Sequence, residues 1–194
     1  PVVGLSSDFC VDMPPDLPRI WQLQLGGGGL LDLGVYTVAM ATMVFGAAEP
    51  DDIKSVGSLH EGGVDLNAAI ALRYGRANVT LTTSILCRSN EETTIYGTKG
   101  RIVVEKPMHA PIKVTLHGAE TRTEDFPLPD PPSLPTAFNF LHSNGFQYEA
   151  NAVHDCLSNG LTECPEYPLA ESLAGIRILD EARKQIGLKY EADN

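Results

Sequence analysis

A carboxylate and a phenol stand four residues apart, at Asp32 and Tyr36, just after four consecutive glycines, Gly26 to Gly29. On a helix, positions i and i+4 share one face. Both groups would therefore be presented together at a helix amino terminus, where unpaired N–H groups and partial positive charge also gather. Glycine at such a place lets backbone approach a ligand closely. The chemistry open to this pair is proton transfer from a secondary alcohol. Oxidation by hydride loss needs a base for the hydroxyl proton, and a tyrosine serves when a neighbouring cation lowers its ordinary pKa of about 10. Asp32 would hold a substrate hydroxyl or orient the phenol. A plainer reading stands beside this one, in which Asp32 caps the first turn and Tyr36 is a core aromatic with its hydroxyl at the surface.

The glycines are not a nucleotide fingerprint, because Gly27 and Gly29 are followed by Asp32, and Gly26 and Gly28 by Leu31, where G-x-G-x-x-G requires glycine. Walker and G-x-S-x-G motifs are missing, and His60-Glu61 lacks the second histidine of a zinc protease. His109, His117, His142 and His154 are scattered and read as surface or structural groups. No cofactor-binding and no metal-binding residue is expected. A net charge of −11 with no Lys/Arg cluster excludes nucleic-acid and anionic-lipid partners. Cys10, Cys87, Cys156 and Cys164 form no C-x-x-C pair and read as reduced structural thiols, so a cytoplasmic location is expected. No signal-peptide pattern and no run of about 18 apolar residues is evident, so no membrane span is expected. The abrupt strand-like start at Pro1-Val2-Val3-Gly4-Leu5 reads as a cut near a domain boundary.

Periodicity supplies the elements that must position these groups. Residues 2–9 read as a strand, 13–29 as a loop with a short helical turn around Pro18 to Leu23, and 30–45 as a helix with Leu31, Val35, Val38, Thr42 and Phe45 on its buried stripe, stopped by Gly46. Strand patterns follow at 52–60, 64–74, 77–87, 92–97, 101–105, 112–117 and 120–126, with tight turns at Tyr74-Gly75-Arg76 and Thr98-Lys99-Gly100. Short connections without helical crossovers predict a meander-like, mostly antiparallel sheet. In 77–87, Val79, Leu81, Thr83, Ile85 and Cys87 share one face; in 64–74, Val64, Leu66, Ala68, Ile70 and Leu72 do, leaving Asp65, Asn67, Ala69, Ala71 and Arg73 opposite. That second face is small and weakly polar, suited either to water or to the sheet of another copy. Residues 127–136 read as a Pro-rich surface loop. Two helices close the chain, with stripes Phe146, Ala150, Val153, Leu157 and Leu173, Ile176, Leu179, Ile186, stopped by Asn159-Gly160 and Gly187. The expected fold class is α+β, a large, mostly antiparallel open β-sheet with helices on one face, in a single domain over 1–194.

The segment Gly27-Gly28-Gly29-Leu30-Leu31-Asp32-Leu33-Gly34-Val35-Tyr36 resembles the G-G-A-L-L-D-x-G-x-Y segment of the glucose–fructose oxidoreductase/inositol dehydrogenase (Gfo/Idh/MocA) family. Asp8-Phe9, Pro18-Arg19-Ile20-Trp21, Met43-Val44-Phe45-Gly46, Gly97-Thr98-Lys99-Gly100, Tyr148-Glu149-Ala150 and the stretch from Ile178 to Gly187 also match, so the likeness covers nearly the whole chain. It implies the carboxy-terminal domain of a two-domain enzyme, with the fold of the glyceraldehyde-3-phosphate dehydrogenase carboxy-terminal domain. In the family this domain binds substrate on its helix side and dimerises through its open sheet face, while an amino-terminal Rossmann domain binds NADP or NAD. The D-x-G-x-H or D-x-G-x-Y element maps onto Asp32, Gly34 and Tyr36 as the catalytic pair and its spacer, and tyrosine at the last position points to a branch acting on cyclic diols. Candidate substrate-binding residues are Arg19 and Trp21, Gly28 and Gly29 as a substrate-side wall, and Tyr148. The implied substrate is a small-molecule alcohol or diol, the implied partner a second copy in a homodimer, and no metal is implied. The family's catalytic lysine sits in an E-K-P motif of the Rossmann domain. Glu105-Lys106-Pro107 in this chain follows a G-T-K-G hairpin and reads as a coincidence, so Tyr36 is expected to meet its activating cation on another domain. The competing reading is a non-catalytic, self-associating binding module of the same fold.

Overall fold

The computed structural model describes residues 1–130, Phe138 and 140–193. The chain opens with β1 (Val2–Cys10), a short helix α1 (Pro18–Trp21), a 3₁₀ turn (Leu23–Leu25), a π-turn (Leu30–Gly34) and helix α2 (Val35–Phe45). Seven strands follow: β2 (Asp52–Leu59), β3 (Asp65–Tyr74), β4 (Ala77–Ser84), β5 (Thr93–Gly97), β6 (Gly100–Val104), β7 (Lys113–His117) and β8 (Thr121–Asp125). Helices α3 (Phe146–Ser158) and α4 (Leu169–Ile186) come last among the longer elements.

The strands form one eight-stranded sheet in the order β2-β3-β4-β1-β5-β6-β7-β8. Two antiparallel meanders flank β1, which runs antiparallel to β5 but parallel to β4. The expected α+β class and mostly antiparallel sheet are therefore present, and the meander holds for each wing but not for the centre. The reason is the connection: α1 and α2 carry the chain across the sheet face from β1 to the edge strand β2, and two hairpins then bring β4 beside β1 in the same direction. The predicted hairpin turns are there, with Tyr74 paired to Ala77 and Gly97 to Gly100.

Helices α2 and α4 pack against each other and against the strands of one sheet face. Leu30, Val38 and Ala41 meet Leu5, Ile70, Leu81, Ile178 and Leu179 in the main core. In β4 the predicted alternation is visible, with Val79, Leu81 and Thr83 buried and Asn78, Thr80 and Thr82 exposed; Cys87, placed on the inner side by the pattern, lies beyond the strand and is exposed. The opposite sheet face shows Ala69, Ala71 and Arg73 to the exterior.

Three helical stripes differ from expectation. The π-turn at Leu30–Gly34 takes one more residue per turn than an α-helix. It moves the buried stripe to Leu30, Leu33, Gly34, Thr37, Val38 and Ala41, leaving Leu31, Val35 and Phe45 at the core's edge. In α4 the buried line is Ala174, Gly175, Ile178, Leu179 and Ala182, while Leu173 is 60% exposed. Small residues won this contest because they let the two helices close: a Cβ at Gly175 would sit 3.4 Å from the Val38 side chain. No residue of α3 is buried, and Phe146 and Leu157 are 66% and 71% exposed. Of the Pro-rich segment at 127–136, residues 131–136 lie outside the described residues.

The stretch Leu23–Phe45 is 23 residues long with mean hydropathy 1.5 over its best 18-residue window, enough by length and composition to cross a bilayer. The glycines and threonines, which weaken the apolar pattern to the eye, lower that mean only slightly. Half of the window is buried inside the fold, as the core helix of this domain.

The two sides of α4 should respond oppositely to substitution. Gly175→Val is expected to cost about 1–3 kcal/mol by overpacking against Val38, whereas Leu173→Gln should change stability by less than about 0.5 kcal/mol. Chemical denaturation of the two variants checks this.

Candidate active site

The geometry of the site begins with Asp65. The β2–β3 ladder slips between Ser58 and Leu59, so that Leu59 pairs with Asp65. At this irregularity Asp65, assigned to the outer face by simple alternation, is instead fully buried. Its Oδ2 accepts the Leu30 N–H at 2.8 Å. Oδ1 has no hydrogen-bond partner among the described residues. Gly28 adopts φ 117°, and a Cβ there would overlap Asp65 Oδ1, while a Cβ on Gly29 would lie 3.2 Å from Oδ2. Tyr190 closes the turn from the other side, its hydroxyl donating to the Gly27 carbonyl at 2.8 Å. Burial, with the nearby Asp65 charge adding to it, pushes the Tyr190 phenol up to about 12, so it stays a donor.

Gly28 and Gly29 are thus not a ligand-facing wall. The close approach they permit is to a carboxylate of their own chain, which occupies the N–H groups and partial positive charge of the helix start. A dinucleotide pyrophosphate does not fit here, because an anion already holds the place. Burial raises the Asp65 carboxyl above the usual carboxylate range, outweighing the backbone N–H groups of Leu30 and Gly29.

With the helix start capped by Asp65, Asp32 is free for another task. It makes no cap; its Oδ1 accepts from Arg19 Nη1 in a partly exposed ion pair. The sequence-predicted Asp32 and Arg19 therefore come together. Tyr36 is also not a core residue. It is 42% exposed, and its hydroxyl has no hydrogen-bond partner among the described residues. Its ring packs edge-on against Phe9 of β1, with centroids 5.4 Å apart, and against His109, 5.6 Å away. No hydrogen bond links Asp32 to Tyr36.

The other candidates are placed differently. Trp21 donates its indole N–H to the Pro14 carbonyl at 2.7 Å and packs edge-on to His60, which makes it an anchor of its loop. Tyr148 donates to the Pro127 carbonyl at 2.6 Å and is tied to that segment. Lys106 pairs with the Glu91 carboxylate at 3.2 Å rather than with Tyr36. Among the described residues, no group of three or more His, Cys, Asp or Glu is placed to hold a metal ion.

Sequence reasoning missed Asp65 as a cap and His109 as a neighbour of Tyr36. His109 arrives through a relay of two hydrogen bonds: the Asp8 side-chain Oδ2 accepts the Glu91 N–H at 2.8 Å, and the Glu91 carbonyl accepts the Met108 N–H at 2.9 Å. Nothing in local spacing announces either residue. The start of the helix thus carries an exposed phenol on an aromatic base at Tyr36 and, four residues earlier, a carboxylate–guanidinium pair at Asp32. It can exchange a proton with a bound hydroxyl and hold a second one.

The chain folds as an open eight-stranded sheet with this helix start on its covered face. The model of the GFO/IDH/MocA C-terminal domain matches residues 1–103, and the chain belongs to that family. It is 40% identical over 178 residues to trans-1,2-dihydrobenzene-1,2-diol dehydrogenase of Mus musculus, an alignment covering 91% of this chain and 51% of that protein. The chain thus spans about half the length of the curated relatives it matches. In fold it resembles KijD10, a 3-ketoreductase from Actinomadura kijaniata solved with NADP and TDP-benzene (TM-score 0.68, 19% identity, 95% of this chain and 54% of that one). It also resembles aldose-aldose oxidoreductase from Caulobacter crescentus complexed with glycerol (TM-score 0.71, 19% identity, 95% of this chain and 53% of that one).

Asp65 gives this subsection its prediction. A carboxyl whose folded pKa is raised contributes stability that is full below its unfolded value and is lost as pH rises through the folded value. Wild type should therefore gain stability relative to Asp65→Asn as pH falls from neutrality into the acid range, and lose it on the way back. Asp65→Ala, which leaves the Leu30 N–H unpaired, should cost about 1–3 kcal/mol. Thermal melts of the three proteins across pH give the answer; wild type losing ground to Asp65→Asn on acidification would contradict the assignment.

Proposed function

We propose that this chain is the substrate-binding and dimerisation half of an NAD(P)-dependent oxidoreductase acting on the CH–OH groups of a cyclic diol or sugar-like alcohol. The observation that carries the reading is the Tyr36 hydroxyl, exposed and without a partner at a helix start that Asp65 holds in place. Tyr36 would take the proton of the reacting hydroxyl, and Asp32, with Arg19 steadying it, would hold the neighbouring one. The oxidant supplied with the cofactor is a nicotinamide that accepts hydride. The glycine turn offers it no phosphate cradle, so its binding falls to an amino-terminal Rossmann domain outside this chain. The apolar, uncovered face of α3 supports a further body lying against this side.

The small residues of the outer sheet face, Ala69, Ala71, Thr80 and Thr82, support close approach of a second sheet and hence a homodimer. Four free cysteines, with Cys87 exposed, favour a reducing compartment such as the cytoplasm. A non-catalytic module would have no use for an uncovered, unpartnered phenol at this helix start, which favours the enzyme.

In the full-length protein, Tyr36→Phe should lower turnover by about 10²-fold or more, with melting unchanged; unaltered turnover would remove Tyr36 from the chemistry. The present chain should give no calorimetric signal with micromolar NADP, and tight binding would place the cofactor site here instead. Sedimentation should show a dimer at micromolar concentration, and a monomer would contradict the sheet interface.

A further inference from the structure

Three rings from three distant parts of the chain meet beneath the Tyr36 hydroxyl. Phe9 comes from β1, Tyr36 from α2, and His109 from the segment after β6. The His109 imidazole lies flat on Phe9, with centroids 4.5 Å apart and an interplanar angle of 19°. It meets Tyr36 at 5.6 Å and 63°, and Phe9 meets Tyr36 at 5.4 Å and 83°. The phenol ring is thus held in a corner of two mutually stacked rings. His109 Nδ1 is buried and has no hydrogen-bond partner among the described residues. A histidine used only as a structural spacer would normally have this nitrogen paired.

We propose that His109 is a positioning residue for Tyr36, acting on the phenol by ring packing and, once it takes up a proton, by placing a cation beside it. This rests on the reading that Tyr36 handles the substrate proton. The groups facing His109 are few. Glu91, on the segment before β5, favours its charged form, although that carboxylate is shared with Lys106. His142 disfavours it and is itself tied through Nδ1 to the Ala110 carbonyl at 2.8 Å. From β1 come the neutral Phe9 and, one residue earlier, Asp8, whose carboxylate is engaged by the Glu91 N–H. From α2 comes Tyr36 itself. Burial is the largest influence and holds the imidazole below the ordinary histidine range. His109 is therefore neutral at neutral pH and charges only in acid. When it does, the cation lies on the face of Phe9, a favourable arrangement, with its positive charge beside the Tyr36 ring.

The test reads the coupling without requiring activity. With ¹³Cζ-labelled tyrosine and ¹⁵N-labelled histidine in this chain, assigned through Tyr36→Phe and His109→Gln, the Tyr36 Cζ signal should step with the same midpoint as the His109 imidazole, below about pH 6.5. The step should vanish in His109→Gln and in His109→Phe. A Tyr36 signal flat across the His109 titration would overturn the proposal, whatever the full-length enzyme does. In the full-length enzyme, His109→Phe keeps a ring but no charge. It should preserve kcat/KM on the alkaline side within about threefold and make the acid limb fall more steeply. A loss uniform across pH, or a profile superimposable on wild type, would also overturn it. An enzyme without diol or sugar dehydrogenase activity whose Tyr36 signal still steps with His109 would instead reject the functional reading and leave the coupling standing.

Discussion

Asp65 reaches from the first residue of β3 to the N–H of Leu30, and the start of the site helix depends on that contact. The carboxylate sits where the N–H groups of a helix start collect, with two glycines shaped around it. A hydrogen bond to a charged group is worth about 1.5–3 kcal/mol, while burying a charge costs several kcal/mol unless it is well satisfied. The raised carboxyl pKa shows which effect wins: Asp65 is held against its own preference by the fold around it. The benefit lies in geometry. Because a strand residue caps the helix, Asp32 is released to meet Arg19, and the following turn presents Tyr36 to the exterior.

The same contact explains why the glycine run is not a nucleotide loop. Both kinds of turn use glycine to bring an anion close to backbone N–H groups at a helix start. Here the anion is internal. In the proposed reading the chain supplies the proton-handling side of a hydride transfer; it spans about half the length of its curated relatives.

Much of this was legible in the sequence because it rests on local rules. Alternation in β4, the two-residue turns at Gly75 and Lys99, and the glycine stops at Gly46 and Gly187 each depend on a few neighbouring residues, and all are present. The i, i+4 spacing and the family likeness single out Asp32 and Tyr36; the structure pairs Asp32 with Arg19 and leaves Tyr36 exposed. What was not legible depends on contacts distant in sequence. A strand irregularity turned Asp65 inward, a π-turn rotated the stripe of α2, and Gly175 drew α4 onto its small side. His109 was dismissed as scattered because the segment carrying it is positioned by Asp8 and Glu91, far from Tyr36 along the chain. In α3 the apolar Phe146 and Leu157 stay exposed, and no residue of that helix is buried.

In the proposed reading, an internally capped helix start presents Tyr36 as the proton acceptor of a bound alcohol. A crystal structure of the full-length protein with oxidised nicotinamide cofactor and an unreactive cyclic diol analogue tests it most directly. The account predicts the Tyr36 hydroxyl within about 3.2 Å of the ring hydroxyl that faces the nicotinamide, with Asp65 still bonded to Leu30 beneath it. A diol bound with its reacting hydroxyl on some other side chain, and Tyr36 turned away from it, would contradict the account.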